Sequence, residues 1–254
     1  MSSIQERRES LLKFLSARGD SRVSDLVKRL GVSAVTVRHD LNFFEEQGLV
    51  TRKHGWVTLN PLDSIEDIRE KSHLNPSLKE RIGARAAQMV KPGDNILIDS
   101  GTTTHRLAGH LKNAQNLTVM SNGLNIVNEL AQAPGVQIIS TGGLLRSPSL
   151  TFQGAQAYAS LDAYSFDTLF LGVDGFDLDF GITTHSVLEA DMNRKMVERS
   201  RRTVVLADSS KFGRMSLHRV VGLERVHVVV TDAGVPEAYR LGLLHQGITL
   251  IVVD

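Results

Sequence analysis

From Leu78 to the carboxyl terminus the chain alternates short apolar runs with amphipathic segments, and this alternation restricts the fold more than any other feature of the sequence. Runs at 95–98, 117–120, 136–139, 169–173, 204–207, 226–230 and 248–253 read as strands. Between them, 78–90, 103–111, 124–133, 188–201 and 236–245 carry apolar residues at helical spacing. Strand, helix, strand in succession predicts a mostly parallel α/β sheet, because a parallel neighbour is reached only through a crossover. The strands are apolar without interruption, which means burial on both faces. Ligands of such sheets bind beyond the carboxyl ends of the strands.

Five of those ends are polar. Asp99-Ser100-Gly101-Thr102-Thr103-Thr104 follows the first strand and opens a helix, gathering small residues, backbone N–H groups and hydroxyls at a helix N-terminus. That composition suits a phosphate, although a capped tight turn accounts for the run equally well. No Gly-Lys-Ser/Thr follows, so it is not a P-loop. Ser121-Asn122-Gly123 ends the second strand, Thr141-Gly142-Gly143 the third, Gly172-Val173-Asp174-Gly175 the fourth and Asp208-Ser209-Ser210-Lys211-Phe212-Gly213 the fifth. Their convergence along one edge predicts a site for a phosphorylated metabolite. Its candidate residues are Asp99, Ser100, Gly101, Thr102, Thr103, Thr104, Ser121, Asn122, Gly142, Gly143, Asp174, Gly175, Glu189 and Lys211, with Asp174 and Lys211 assigned to sugar hydroxyls or a carbonyl. Some of the glycines serve geometry alone, and Glu189 also suits the first turn of its helix through the dipole. Arg146 reads equally as a partner for phosphate or for a neighbouring subunit.

The first sixty residues read differently. A helix over 5–17 brings Leu11, Leu12, Phe14 and Leu15 to one side; Val23, Leu26, Val27 and Leu30 make a second, Gly31 stops it, and Ser33 caps a third. On that third helix Val37, Leu41 and Phe44 share a stripe, while Ala34, Val35, Arg38, His39 and Asn42 lie off it and face outward. A hairpin follows, 49–52 against 56–59, with a basic tip. This is the pattern of a winged helix-turn-helix, whose recognition helix reads base edges through its N-terminal residues. Candidate DNA-binding residues are therefore Ser33, Ala34, Val35, Thr36, Arg38, His39 and Asn42, with Arg52 and Lys53 near phosphates. Residues 1–60 hold 10 Lys/Arg and 7 Asp/Glu, a net +3, while the remainder nets −2, so the basic excess lies where DNA is expected.

These features predict a DNA-binding domain over 1–59, a polar linker over 60–77 whose Ile65 and Ile68 suit a short helix against either domain, and a sensing domain over 78–254. There is no cysteine, no N-terminal apolar run of the signal-peptide kind, and no apolar segment near the roughly 20 residues that cross a bilayer. A cytoplasmic protein without membrane partners is expected. The nine histidines are scattered, so neither a metal nor a cofactor is expected.

Thr36-Val37-Arg38-His39-Asp40-Leu41 followed by Glu45-Glu46-Gln47-Gly48-Leu49 resembles the winged helix-turn-helix signature of the DeoR family of bacterial transcriptional regulators. Phe43 stands where that family usually has a polar residue, and Trp56 replaces the second glycine of its His-Gly-Gly wing. From about Leu78 onward, the Asp-Ser-Gly-Thr-Thr-Thr run, Thr141-Gly142-Gly143-Leu144-Leu145-Arg146, Gly172-Val173-Asp174-Gly175, Gly181-Ile182-Thr183-Thr184 with Glu189-Ala190, and Ala207 to Gly213 match the family's sensor domain. The resemblance implies a fold like ribose-5-phosphate isomerase and the glucosamine-6-phosphate deaminase group, and a phosphorylated sugar as effector. The expected function is a repressor of carbohydrate-catabolism genes, bound to double-stranded operator DNA as a homo-oligomer, dimer or tetramer, and relieved by that sugar. The alternative is an isomerase- or deaminase-like enzyme, because Asp174, Asp177, Glu189 and Lys211 look like its acid/base and positioning groups. The isomerase lysine after the Asp-Gly-x-Asp motif is absent here, where Leu178-Asp179-Phe180-Gly181-Ile182 stands, and a catalyst has no use for a recognition helix. No catalytic residue is expected.

Overall fold

The computed structural model describes residues 7–8, 10–11, 14–15, 19–46, 50–53, 55–59 and 68–254. The chain divides into two compact units, Met1–Ser64 and Ile65–Asp254. Leu12 and much of the expected 5–17 helix, Gly48 and Leu49, the wing-tip His54, and linker positions 60–67 with Pro61 and Ile65 lie outside the described residues.

In the first unit, α1 (Val23–Leu30) ends because Gly31 turns left-handed at φ 64°, where its N–H still reaches Val27 O. Ser33 then opens α2 (Ala34–Glu46), its Oγ accepting the Thr36 N–H at 3.1 Å. Leu26, Val37, Leu41 and Phe44 are buried together with Leu11, Leu15, Val50 and Val57. The apolar stripe read from the sequence is thus the core-facing stripe. Strands β2 (Val50–Lys53) and β3 (Trp56–Leu59) pair antiparallel, Lys53 opposite Trp56, and β1 (Ser21–Arg22) adds to the far side of β3.

The second unit is built on seven parallel strands: β4 (Asn95–Ile98), β5 (Leu117–Ser121), β6 (Val136–Ser140), β9 (Phe166–Gly172), β12 (Ser200–Leu206), β14 (Val228–Asp232) and β15 (Thr249–Val253). Across the sheet they lie in the order β15-β14-β12-β9-β4-β5-β6. They are the seven apolar runs of the sequence. Strands β9 and β12 begin earlier than expected because polar, incompletely buried residues near their starts, Asp167 and Thr168 in β9 and Ser200, Arg201 and Arg202 in β12, interrupt the apolar pattern.

Successive side chains point to opposite faces, and each face has its own core. Ile96, Ile98, Phe170 and Val204 pack with α4 (Pro76–Ala87), α5 (Thr102–His110) and α6 (Leu124–Leu130). Leu97, Leu169, Leu171 and Val205 pack with α7 (Ala155–Leu161), α8 (Val187–Glu198) and α9 (Glu237–His245). Burying both faces of every central strand removes the alternation that would otherwise mark a strand in the sequence.

Several elements were not read from the sequence. Strands β10 (Gly175–Asp177), β11 (Gly181–Thr184) and β13 (His218–Val221) form a small antiparallel sheet, and β7 (Leu144–Arg146) with β8 (Thr151–Gln153) a hairpin. The short helix that Ile68 suited within the linker does form and belongs to the second unit: α3 (Ile68–His73) is tied to it by the Ile68 N–H donating to Pro148 O at 2.9 Å. No residue of α3 is buried, so its composition is that of a linker.

Candidate functional site

From β4 the chain adds β5 and β6 on one side of the sheet, and from β9 it adds β12, β14 and β15 on the other. The parallel neighbours β4 and β9 thus mark the point where the order of winding reverses, which leaves a crevice at their carboxyl ends. Asp99, 7% exposed, closes its floor and accepts the Gly172 N–H at 3.3 Å. Beyond β9, the Asp174 Oδ2 accepts from the Thr184 hydroxyl at 2.9 Å and from the His185 N–H at 3.4 Å. The same Thr184 oxygen lies 2.9 Å from Glu189 Oε2. A hydroxyl has one proton to give, so these two contacts form a chain when Glu189 carries a proton and Thr184 donates onward to Asp174.

The charges agree with that chain. Burial, reinforced by the neighbouring Asp174, raises the Glu189 carboxyl above its ordinary range. Burial would raise Asp174 as well, but Lys71, His185 and Lys211 outweigh it and hold that carboxyl ionised well below the usual range. Asp99 is pushed up to about 7 by burial, with Glu189 and Asp174 adding to the effect. The carboxylates cannot all ionise cheaply side by side, and the site stores a proton near neutral pH.

Lysines answer this acidity. The Lys71 ammonium, on α3, lies 2.7 Å from Asp174 Oδ1. Lys79, on α4, donates to Lys71 O at 2.5 Å and is 4% exposed; burial lowers it to about 8, partly offset by Asp208. Lys211, in the 3-10 turn Ser209–Lys211, acts on both Asp174 and Lys79. Asp208 Oδ1 accepts from Asn75 Nδ2 at 3.2 Å and from the Ser210 N–H at 3.1 Å.

The fold therefore brings Asp99, Ser100, Gly101, Asp174, Glu189 and Lys211 to one crevice. Other expected residues build its walls. The Thr104 hydroxyl is fully buried and donates to Gly101 O, and the Ser121 hydroxyl donates to Ile98 O at 2.6 Å. Thr103 and Asn122 are buried, and a Cβ on Gly175 would stand 2.5 Å from Thr183 Oγ1. Gly142 and Gly143, at φ 64° and 100°, make the turn into β7, where a Cβ on Gly143 would meet Gln153 O. Thr102 lines a cavity of about 170 Å³ together with Ile68, Arg69 and Ser72 of α3. Arg146 donates to Ser186 Oγ at 3.3 Å, and His105 meets Glu129 on the surface of the unit.

Sequence reasoning missed Lys71, Lys79, Thr184 and His185. Lys79 left a signal, since it falls on the buried stripe of α4 with Ile82 and Ala86, where a lysine has no place unless it faces charge. Lys71 left none.

On the first unit, Val35 is 74% exposed, and Ala34, Arg38, His39, Asn42 and Lys53 are exposed with it. A groove of about 620 Å³ runs between α1, α2 and the wing, lined by Ala34, Arg38, Arg22, Lys28 and Trp56. Arg22 stacks 5.0 Å over the Trp56 ring. Arg52 is not presented as expected: its guanidinium and its N–H are both bound to Glu45, which it holds below the usual carboxylate range. Ser33 is occupied as the cap of α2. Beneath the exposed face, Asp40 is fully buried and receives Arg7 Nε at 2.6 Å and Arg8 Nε at 3.0 Å, which locks α2 to the helical residues before it.

Among the described residues, no group of three or more His, Asp or Glu side chains is arranged to hold a metal, and no helix is long and apolar enough to cross a membrane.

Comparison with known proteins covers both units. Residues 7–61 match the DeoR-like helix-turn-helix domain, and residues 74–233 match the DeoR C terminal sensor domain. The chain is 40% identical to a putative aga operon transcriptional repressor of Escherichia coli O157:H7, over 98% of this chain and 93% of that one. It is 34% identical to transcriptional repressor AccR of Agrobacterium fabrum, over 91% of each chain, and 30% identical to the glycerol-3-phosphate regulon repressor of Escherichia coli K12, over 91% of this chain and 92% of that one. Among solved structures, ribose 5-phosphate isomerase A of Methanocaldococcus jannaschii overlaps 54% of this chain and 55% of its own at a TM-score of 0.42 and 18% identity. A duplex-reading unit and a sensor unit in one polypeptide, each matched by its own family model, make this chain a member of the DeoR family, a DNA-binding transcriptional regulator and not an enzyme.

Proposed function

We propose that this regulator represses genes of carbohydrate use and releases its operator when a phosphorylated sugar enters the crevice at the β4/β9 switch point. The observation that carries the reading is the layout of charge there. Backbone N–H groups and Thr102 at the start of α5 suit a phosphate, while Asp174 and Glu189 suit sugar hydroxyls and Lys79 and Lys211 balance the anion. Relatives named as repressors of a glycerol-3-phosphate regulon and of an aga operon agree with it. Of these residues Thr102, Asp174, Glu189 and Lys211 were assigned from the sequence, and we add Lys79, Thr184 and His185.

On the DNA side, Ala34, Val35, Thr36, Arg38, His39 and Asn42 face the major groove and Lys53 a phosphate. Arg22, Lys28 and Trp56 extend this surface along the wing. One winged unit covers few base pairs, so a homo-oligomer, dimer or tetramer, engages paired half-sites in the cytoplasm.

The test uses an operator duplex selected from random DNA by the full-length protein. Trp56 is the only tryptophan, and its emission is expected to change on binding that duplex. A panel of sugar phosphates, each beside its free sugar, is then scored for a rise in melting temperature and for operator release. A phosphate ester that does both while its free sugar does neither establishes the reading; a protein whose operator retention ignores every member of the panel overturns it.

A further inference from the structure

The helix α3 is held in an unusual manner. None of its residues is buried, yet it is fastened to the sensor unit at its first residue and again at Lys71. The Ile68 N–H donates to Pro148 O at 2.9 Å, the Lys71 ammonium sits 2.7 Å from Asp174, and Lys71 O accepts from buried Lys79 at 2.5 Å. Its Ile68, Arg69 and Ser72 share a cavity wall with Thr102 and Asn125, beside the loop that begins at Asp99. A six-residue helix has little intrinsic stability, and these polar ties contribute to fixing it where it lies. Two of the three run through groups of the crevice.

We propose that α3 is a strap whose Lys71 holds the Asp174 oxygen that a sugar hydroxyl takes, so that effector binding displaces Lys71 and frees α3. The inference rests on the reading above and adds how occupancy is transmitted. An ionised carboxylate accepts hydrogen bonds and donates none, so a hydroxyl donor and the ammonium compete for the same lone pairs of Oδ1. Oδ2 is already committed to Thr184 and His185. Lys71 remains 25% exposed, so its displaced ammonium regains water at small cost. In the chain, α3 is the first described element after the residues that lead from the DNA-binding unit. Loosening it changes the anchor of that connection.

The test compares full-length protein with Lys71→Met and Lys71→Arg. These substitutions leave both cores untouched. The probes are ribose 5-phosphate, glucose 6-phosphate and glucosamine 6-phosphate, with inorganic phosphate as control, and the operator is the duplex selected above. Lys71→Met is expected to bind the responding sugar phosphate at least about fivefold more tightly, the low end of typical coupling factors. Without any probe it is expected to hold operator as weakly as unmodified protein does with the probe. Lys71→Arg, which keeps a cation on Asp174, is expected to restore both properties. In the unmodified protein, amide exchange over residues 68–74 is expected to accelerate when the probe is added.

Weaker probe binding by Lys71→Met would overturn the proposal and make Lys71 a direct ligand of the phosphate. Unchanged operator retention by that variant, or slower exchange over 68–74 with probe, would also overturn it. If no probe shifts the unmodified protein, the sugar-phosphate reading has failed. The strap is then judged by the operator retention of Lys71→Met alone, and unchanged retention overturns it.

Discussion

In the DNA-binding unit, buried Asp40 is met by Arg7 and Arg8 at hydrogen-bond distance and is a settled ion pair. In the sensor unit, Asp99, Asp174 and Glu189 act on one another, and only Asp174 is held firmly ionised, by Lys71, His185 and Lys211. The first arrangement fixes a helix so that its outer face can be presented unchanged. The second leaves carboxyls whose protons and partners are still in contest, which is the condition for a ligand or a change of pH to alter them. A rigid reader joined to a responsive receptor is what a regulator of this kind requires.

The largest effect is expected from Asp40→Ala. Removing one side of a buried ion pair costs about 3–5 kcal/mol and strands the arginines. Calorimetry should show an early transition for the DNA-binding unit with the sensor transition unmoved. If both transitions move together, the two units do not store charge independently and the comparison fails.

The sensor side is sharpened by pH. Asp99 has its folded pKa raised from 3.8 to about 7, so between those values the folded state binds more protons than the unfolded one. Stability of the sensor unit therefore falls as pH rises through that window, and Glu189, also raised, adds to the same limb. Asp174 has the opposite sign, its contribution being lost only on acidification below its ordinary value. Asp99→Asn, which keeps an oxygen for the Gly172 N–H, should melt several degrees higher than its parent at about pH 8 and converge with it near pH 4. A parent whose sensor transition is flat across this window would show that the cluster is as settled as the Asp40 pair.

The smallest effect is expected at the wing. Glu45→Gln removes the carboxylate that claims Arg52. Operator affinity should rise a fewfold, and the slope of log K against log salt should steepen by about one as Arg52 turns to a phosphate. An unchanged slope would assign Arg52 to the folding of the wing alone.

The apolar runs foretold all seven strands of the sheet, and in the central ones burial on both faces leaves a continuous apolar stretch to mark them. The stripe of Val37, Leu41 and Phe44 foretold which face of α2 is buried, and so which face is left outward. The small sheet β10-β11-β13 escaped notice because its strands are short and Gly175 and Gly181 open two of them. Gly142 and Gly143 were read with the effector residues because turn and phosphate cradle use the same residue types. Their positive φ values show a turn, which backbone geometry decides and composition does not.

Composition and periodicity alone determined a helix-turn-helix ahead of a parallel α/β sheet with a polar edge, because both patterns are local and repeat along the chain. Tertiary structure alone decided that Lys71, from a stretch that reads as linker, lies on Asp174, that Arg52 turns to Glu45, and that Asp99 keeps a proton near neutrality. Each of these depends on which distant charges folding brings within a few ångströms and how little water remains between them, and neither quantity is written in the order of the residues.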